Sequence, residues 1–276
     1  MNKKKLHIAV LITIHNRKDF TLRCLESLFS QEGLNTIFIF EVFIVDDGST
    51  DGSKDAIVSL FSQINIITTN GSLFWNRGMR YAWENAIKKN DFDFFIWLNN
   101  DTFLYNHAFS SLINIYLGST NLSIVTGACC NSDGLFSYGL KDINGLNILP
   151  NNSYMKGYFM NGNCVLISKQ VFLKIGFNDF KYTHAIGDYD YGLNAIKNGI
   201  NLITTDTFIA ICEKNTTIPK WKNPKISIYD RFKDFHSIKS YSKPSLLFYF
   251  NLKYFGFFRA ICVIFSNYLQ LLFPKT

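Results

Sequence analysis

The sequence predicts an α/β protein with a mostly parallel central sheet flanked by helices, followed by an amphipathic helical tail. Three observations predict it. Short runs rich in Ile, Val and Leu alternate with helix-spaced segments from His7 to Leu98, as strands and crossover helices do in a parallel sheet. Two of those runs end in acidic turn elements, Val45-Asp46-Asp47-Gly48-Ser49-Thr50-Asp51 and Leu98-Asn99-Asn100-Asp101-Thr102. From Pro244 to Phe273 aromatic and aliphatic residues dominate, interrupted by Lys253, Arg259, Asn267 and Gln270.

Taken in order, His7 to His15 is short and apolar and reads as a buried first strand. Phe20, Cys24, Leu25, Leu28 and Phe29 have helical spacing. Ile37 to Val45 is a second buried strand, Ser53 to Phe61 a helix, Ile64 to Thr68 a third strand, Gly78 to Ile87 a helix and Phe92 to Leu98 a fourth strand. Right-handed crossovers then bring the strand ends to one edge of the sheet. Beyond this point the strands shorten, around Ile124 to Cys129 and Phe159 to Ile167, and Asn144 to Asn152 reads as a loop or lid. Asp188 to Lys197 is helical through Tyr189, Leu193 and Ile196, and Gly199 stops it. In the tail a spanning helix is disfavoured by the polar interruptions, so an interfacial helix pair is expected, with a packed C-terminal helix or dimer face as the alternative.

The chain has 276 residues, which suits one large domain with an appendage. With 47% apolar and 18% charged residues it is not disordered, and part of its surface is expected to be covered, a membrane being the expected cover. The net charge of +7 is scattered apart from Lys3-Lys4-Lys5, without a basic helix or RNA-binding aromatic motif, so nucleic acid is not an expected partner. Six cysteines without a C-x-x-C pair indicate small buried side chains in a reducing compartment. The apolar run after the lysines is broken by His7 and lacks a cleavage site, so no signal peptide is expected.

Carboxylates at the ends of parallel strands sit where open α/β sheets place ligands. The two acidic clusters are therefore expected to share a crevice suited to a nucleoside diphosphate and a divalent cation. Thr13-Ile14-His15-Asn16-Arg17, after the first strand, contains no glycine. That disfavours a dinucleotide turn, and polar side chains there suit a base or ribose, with Arg17 near a phosphate. Asp46 and Asp47 point opposite ways on an extended chain, so Asp47 is favoured for nucleoside contact and Asp46 for support. The alternative is a turn carboxylate capping the next helix. Asn99-Asn100-Asp101 offers hard oxygen ligands, with Asp101 the candidate for Mg²⁺ or Mn²⁺ if diphosphate and water complete the shell. Gly187-Asp188-Tyr189-Asp190 opens a helix, whose N-terminus favours an ionised carboxylate able to accept a proton, plain N-capping being the alternative.

These stretches, with Asn70-Gly71 through Trp75-Asn76-Arg77-Gly78, resemble in order and spacing the inverting, family 2 nucleotide-sugar glycosyltransferases of the GT-A fold, over residues 7 to 212. The resemblance implies a GT-A domain over 1–225, with a nucleotide-binding half (1–102) and an acceptor-binding half (103–225), and a membrane-associating or packing tail over 226–276. It implies that Thr13 and Asp47 contact the nucleoside and that Arg17 and Asn76 lie near the donor. Asn16, Asp46, Asn70 and Asn100 join them on the donor side. Asp101 would ligate the metal, Asp188 would be the base, and Asn161, Gly162 and Asp190 would face the acceptor. The sequence departs from the family pattern at Asn99, where aspartate is common, and at Cys212, where many members carry a histidine. The implied partners are a nucleotide-diphosphate sugar and a glycan or lipid-linked acceptor, with peripheral membrane contact through residues 244–273 at the inner face of the cell membrane. A noncatalytic sugar-nucleotide or polysaccharide-binding protein on this fold, or a nucleotidyltransferase, is the competing expectation. The latter usually has a Gly-rich, Lys-containing loop that is missing here.

Overall fold

The strand β1 (Leu6–Ile14) shows why the sheet is buried on both faces. Ile8, Val10 and Ile12 enter one apolar core while Ala9 and Leu11 enter another, because successive side chains alternate across a pleated strand. The computed structural model describes residues 4–274. Lys3 of the basic triplet and residues 275–276 of the tail lie outside it.

The chain continues through α1 (Lys18–Phe29), β2 (Phe38–Asp47), α2 (Ser53–Leu60), β3 (Asn65–Thr69), α3 (Phe74–Lys89) and β4 (Phe94–Leu98). Strands β3, β2, β1 and β4 pair in that order and all in parallel, as the alternating pattern predicts. Next come β5 (Phe103–Leu104), α4 (Ala108–Gly118), β6 (Ser123–Cys130), β7 (Phe136–Tyr138), β8 (Leu140–Lys141), β9 (Lys156–Gly157), β10 (Phe159–Met160) and β11 (Cys164–Ser168). Strand β11 lies antiparallel to both β4 and β6, with Cys164 opposite Leu98. The elements α5 (Lys169–Ile175), α6 (Gly187–Lys197) and β12 (Asn201–Ile211) follow, and β12 runs parallel to β6.

Several expectations are refined here. The predicted strand Phe159 to Ile167 is two strands, β10 and β11, separated by the turn Asn161–Asn163. Helix α3 begins at Phe74, four residues before its predicted start. Its first amides are capped from β2 across the chain, a contact that local spacing does not encode.

One face of the sheet is covered by α1 and α4, whose Leu25, Leu28, Phe109 and Leu112 pack on β1, β2 and β4. The other is covered by α3 and α6 around Trp83, whose ring meets Phe95, Trp97, Phe172, Phe177 and Tyr191. Helix α3 approaches the end of β1 closely at Gly78, where a Cβ would lie 2.4 Å from Thr13 Cγ2 and 2.6 Å from its Oγ1. Gly78→Ala is therefore expected to destabilise the protein by about 1–3 kcal/mol through overpacking, read as a lower urea midpoint at unchanged slope.

After β12 the chain forms a short 3₁₀ turn (Lys220–Lys222), α7 (Ile228–Phe235), α8 (Pro244–Phe255) and α9 (Phe257–Leu272). The two tail helices are not equivalent, which corrects the expected interfacial pair. Helix α8 packs through Leu246 and Phe250 against Tyr182, Ala185, Ile186 and Leu193, in and just before α6. Its Lys253 turns inward onto Asp190, with Nζ 2.8 and 2.9 Å from the two carboxylate oxygens, and so is not at a lipid headgroup. Helix α9 rests on α7 through Leu271 and Tyr268, and Phe258, Ile261, Phe265, Leu269 and Leu272 stay exposed on it. No helix among the described residues is long and apolar enough to cross a membrane.

Candidate active site

The C-terminal ends of β1, β2 and β4 form one rim, and the turn before β11 and the start of α6 meet it. Asp46 and Asp47 close β2. Asp46 is buried and its Oδ1 accepts from Ser49 N–H at 2.9 Å, holding the turn as the supporting role requires. Asp47 is only 2% exposed. Its Oδ1 accepts from Thr69 Oγ1 (2.7 Å), Gly71 N–H (3.0 Å) and Leu73 N–H (3.2 Å), and Oδ2 from Phe74 N–H (2.7 Å). The expectation of a direct nucleoside contact is corrected accordingly. Both oxygens of Asp47 are occupied, so the residue builds the 69–74 loop and caps α3.

The expectation for Asn76 changes for a similar reason. Asn76 is fully buried. Its Nδ2 donates to the carbonyls of Asp179 (2.9 Å) and Tyr182 (2.7 Å), while Oδ1 accepts from Asn178 Nδ2 (2.7 Å). It clamps α3 to the 178–187 loop and has no free polar atom for a donor. Asn100 Nδ2 donates to Thr21 Oγ1 at 2.9 Å, tying the end of β4 to α1. Thr13 lies beneath the rim against Gly78, its Oγ1 3.5 Å from the Trp75 carbonyl. Asn70 is exposed on the rim and accepts from Ser72 Oγ at 2.5 Å. Asn16 joins the β1 end to the 49–50 turn through Ser49 Oγ and Thr50 N–H, both at 2.8 Å.

At the end of β4, Asp101 Oδ2 receives Arg17 Nη1 at 2.9 Å, and Oδ1 lies 3.9 Å from Cys212 Sγ. Cys212 thus does occupy the place beside Asp101. Burial, and then the Asp101 charge, push its thiol up to about 12, so at neutral pH it is a protonated and poor ligand for a hard ion. Asn99 Oδ1 is taken by the Trp75 indole N–H at 2.7 Å. No cluster of three His, Cys, Asp or Glu side chains able to hold a metal exists among the described residues. What the chain offers is one carboxylate, which fits an ion that draws its other oxygens from a diphosphate and water.

Across the rim lies Asp188, in the first turn of α6. Gly162 N–H donates to its Oδ2 at 3.1 Å and Tyr189 N–H to its Oδ1 at 2.9 Å. Desolvation in the crevice raises its pKa to about 6, partly opposed by these amides and by Lys141. Glycine is required at 162, because a Cβ there would stand 2.5 Å from the Trp75 ring and 3.5 Å from Asp188 Cβ. Asn161 lies in the same turn, next to Gly162 and half-buried. Asp190, expected on the acceptor side, instead points into the protein. It is 2% exposed and bonded to Lys253, to Tyr182 OH (3.0 Å) and to Tyr254 OH (3.0 Å), an anchor between α6 and α8.

The acidic elements are thus joined by a short path. Asp47 fixes Phe74 N–H, the adjacent Trp75 packs on Gly162 against Asp188, and the same indole holds Asn99, two residues before Asp101. Composition and spacing gave no sign of Trp75, Gly162 N–H or Asn163 as the joints of this path. Asn163 accepts Asn99 N–H on its carbonyl at 2.9 Å and donates to Cys212 Sγ at 3.3 Å.

A mixed sheet with donor-side loops at the ends of its parallel strands and a carboxylate facing them defines a transferase of the GT-A class. The profile described as "Glycosyl transferase family 2" matches residues 9–176, and the chain belongs to that family. The match ends before Asp188. A hyaluronan synthase from Streptococcus pyogenes is 29% identical over 119 residues, 41% of this chain and 27% of that protein. The chain therefore aligns with only about a quarter of that relative's length. Among solved structures, S. aureus TarS 1-349 in complex with UDP-GlcNAc superposes with a TM-score of 0.56 at 14% identity, covering 98% of this chain and 74% of that one. The mannosyltransferase PcManGT from Pyrobaculum calidifontis, in complex with GDP-Man and Mn²⁺, gives a TM-score of 0.57 at 12% identity, covering 97% and 76%. At these identities the structural likeness establishes the GT-A fold.

Proposed function

We propose that the protein transfers a sugar from a nucleoside-diphosphate donor to a hydroxyl of a glycan or lipid-linked acceptor in bacterial surface polysaccharide synthesis, with inversion at the anomeric carbon. The observation that carries this reading is Asp188. It is aimed by two backbone amides and has a pKa raised to about 6, and it faces the Trp75–Asn99–Asp101 rim across a glycine. A carboxylate with that pKa is ionised at neutral pH yet more basic than an ordinary aspartate, which suits a general base.

In the reaction the acceptor oxygen attacks the anomeric carbon as its proton passes to Asp188, and the bond to the diphosphate breaks on the opposite face. The amides of Gly162 and Tyr189 orient the carboxylate for this transfer. Trp75, fixed to Asn99, forms the wall between donor and acceptor sides. A divalent cation, Mg²⁺ or Mn²⁺, held by Asp101, would neutralise charge on the departing diphosphate. The nucleotide sugars in the two structural neighbours support a donor of this class, and the hyaluronan synthase likeness supports a saccharide acceptor.

Calorimetry with a panel of UDP- and GDP-sugars in the presence of Mn²⁺ tests the donor, and release of nucleoside diphosphate on adding acceptor tests transfer. Binding of none of the nucleotide sugars would overturn the proposal. Binding without acceptor-dependent release would support a noncatalytic binding protein instead.

The tail supports peripheral membrane contact at the inner face of the cell membrane. Phe258, Ile261, Phe265, Leu269 and Leu272 make one apolar stripe on α9. Residues 218–273 hold nine Lys or Arg against two Asp. We expect cosedimentation with vesicles containing phosphatidylglycerol, weakened at least fivefold in the Phe258→Ser, Phe265→Ser double variant and reduced by salt. Equal binding of the two proteins would remove the stripe as the contact.

A further inference from the structure

Arg17 starts α1 with its backbone in the left-handed region (φ 62°), and Asn16 before it does the same (φ 59°). Side-chain-bearing residues rarely adopt this conformation, and here the surroundings hold them in it. Asn16 is tied to Ser49 and Thr50, both at 2.8 Å, and the Arg17 carbonyl accepts from Thr21 N–H (3.0 Å) and Thr21 Oγ1 (3.1 Å). The backbone is clamped, whereas the side chain is largely exposed, its guanidinium 5.9 Å from the Phe20 ring centroid. Its guanidinium nitrogen lies 2.9 Å from Asp101 Oδ2, with the Arg17 side chain 60% and the Asp101 side chain 33% exposed.

Asp101 is the carboxylate assigned above to a divalent cation, and a positive charge of the chain's own already sits on it. We propose that Arg17 is a built-in counter-cation: it holds Asp101 before the donor arrives, then passes to the donor diphosphate when the ion takes the carboxylate. The inference rests on the assignment of the ion to Asp101. An ion pair this exposed is weak, so a dication displaces it readily. A diphosphate offers a guanidinium a better, multiply charged partner that matches its forked donors. The other oxygen of Asp101 lies 3.9 Å from Cys212 Sγ, and among the described residues Arg17 is the cation paired with this carboxylate. Arg17 therefore opposes the bare ion and favours the ion accompanied by diphosphate, which makes the two bind as a unit.

The opposite signs give the test, and it needs no turnover. Mn²⁺ binding is measured by electron paramagnetic resonance, first with Mn²⁺ alone and then with inorganic pyrophosphate. The proteins are wild type, Arg17→Ala, Arg17→Gly and Asp101→Asn. The glycine variant removes the guanidinium while suiting the left-handed backbone, so the fold is kept. Arg17→Ala and Arg17→Gly are expected to bind Mn²⁺ alone about two- to fivefold more tightly. They are expected to bind Mn²⁺ with pyrophosphate about tenfold more weakly. Asp101→Asn is expected to lose both. If Asp101→Asn loses Mn²⁺ but the Arg17 variants bind the bare ion no more tightly than wild type, the counter-cation is overturned and the metal assignment stands. If Asp101→Asn keeps Mn²⁺, both are overturned.

Discussion

Replacing Asp188 by Asn is expected to lower the rate of sugar transfer by about 10²–10⁴-fold while leaving nucleotide-sugar affinity within about twofold of wild type. The amide is nearly isosteric with the carboxylate but cannot take a proton. In wild type the base must be ionised, so the transfer rate is expected to rise with pH through about 6 and then level off. That rise should be absent from the residual rate of the variant. The same pKa makes a second, independent prediction about stability. The folded-state value of about 6 lies above the ordinary 3.8, so the ionised carboxylate costs stability progressively as pH rises through that window. At pH 7.5 the Asn variant sheds that cost but can accept from only one of the Gly162 and Tyr189 N–H groups, so the two effects offset and its melting temperature is expected within about 5 °C of wild type. Retained transfer in a folded Asp188→Asn protein would remove Asp188 as the base. Lost transfer with a melting temperature lowered beyond that range would point to a structural role.

The largest effect on stability is expected at Asp190. Asp190→Ala removes one member of a buried ion pair, leaving Lys253 Nζ and the hydroxyls of Tyr182 and Tyr254 without their common acceptor. The cost is expected near 3 kcal/mol, the low end for a broken buried pair because Lys253 keeps 27% exposure and is partly resolvated. Urea unfolding reads it directly. Replacing both charges, as in Asp190→Asn with Lys253→Met, is expected to cost less than the sum of the single changes, since neither charge is then left alone. An Asp190→Ala protein of wild-type stability but poor acceptor affinity would reinstate the acceptor-side role that the family resemblance implies.

The repeating Asp188-Tyr189-Asp190 marks a functional turn, but residues two apart on a helix face different sides, and only the fold shows which side is solvent. Strands β1, β2 and β4 were legible because buried parallel strands carry uninterrupted apolar runs, whereas β3, at the sheet edge and half-exposed, showed only the β-branched run Ile66-Ile67-Thr68-Thr69. The helix Ala108–Gly118 went unpredicted since it is apolar on most sides and shows little periodicity. The strand Asn201–Ile211 was hidden by Thr204-Thr205-Asp206-Thr207. There Thr205 Oγ1 bonds Ala128 N–H and the Thr207 carbonyl across an irregular stretch of the ladder. At the site, the residue types at the strand ends were readable, but not which of them face inward. Asp47 and Asn76 have the chemistry of ligand contacts and are consumed by backbone groups from distant segments.

The reversal of direction at β11 has a consequence for how such an enzyme can diversify. Because Cys164 pairs with Leu98, the turn leading into one strand and the turn leaving its neighbour emerge side by side, and a main-chain hydrogen bond from Asn99 to Asn163 spans them. The gap between the two halves of the reaction is thus gauged by the ladder itself. The exposed turn 143–146, closed on itself by Asp142, lies off that ladder, so changes there leave the gap as it is.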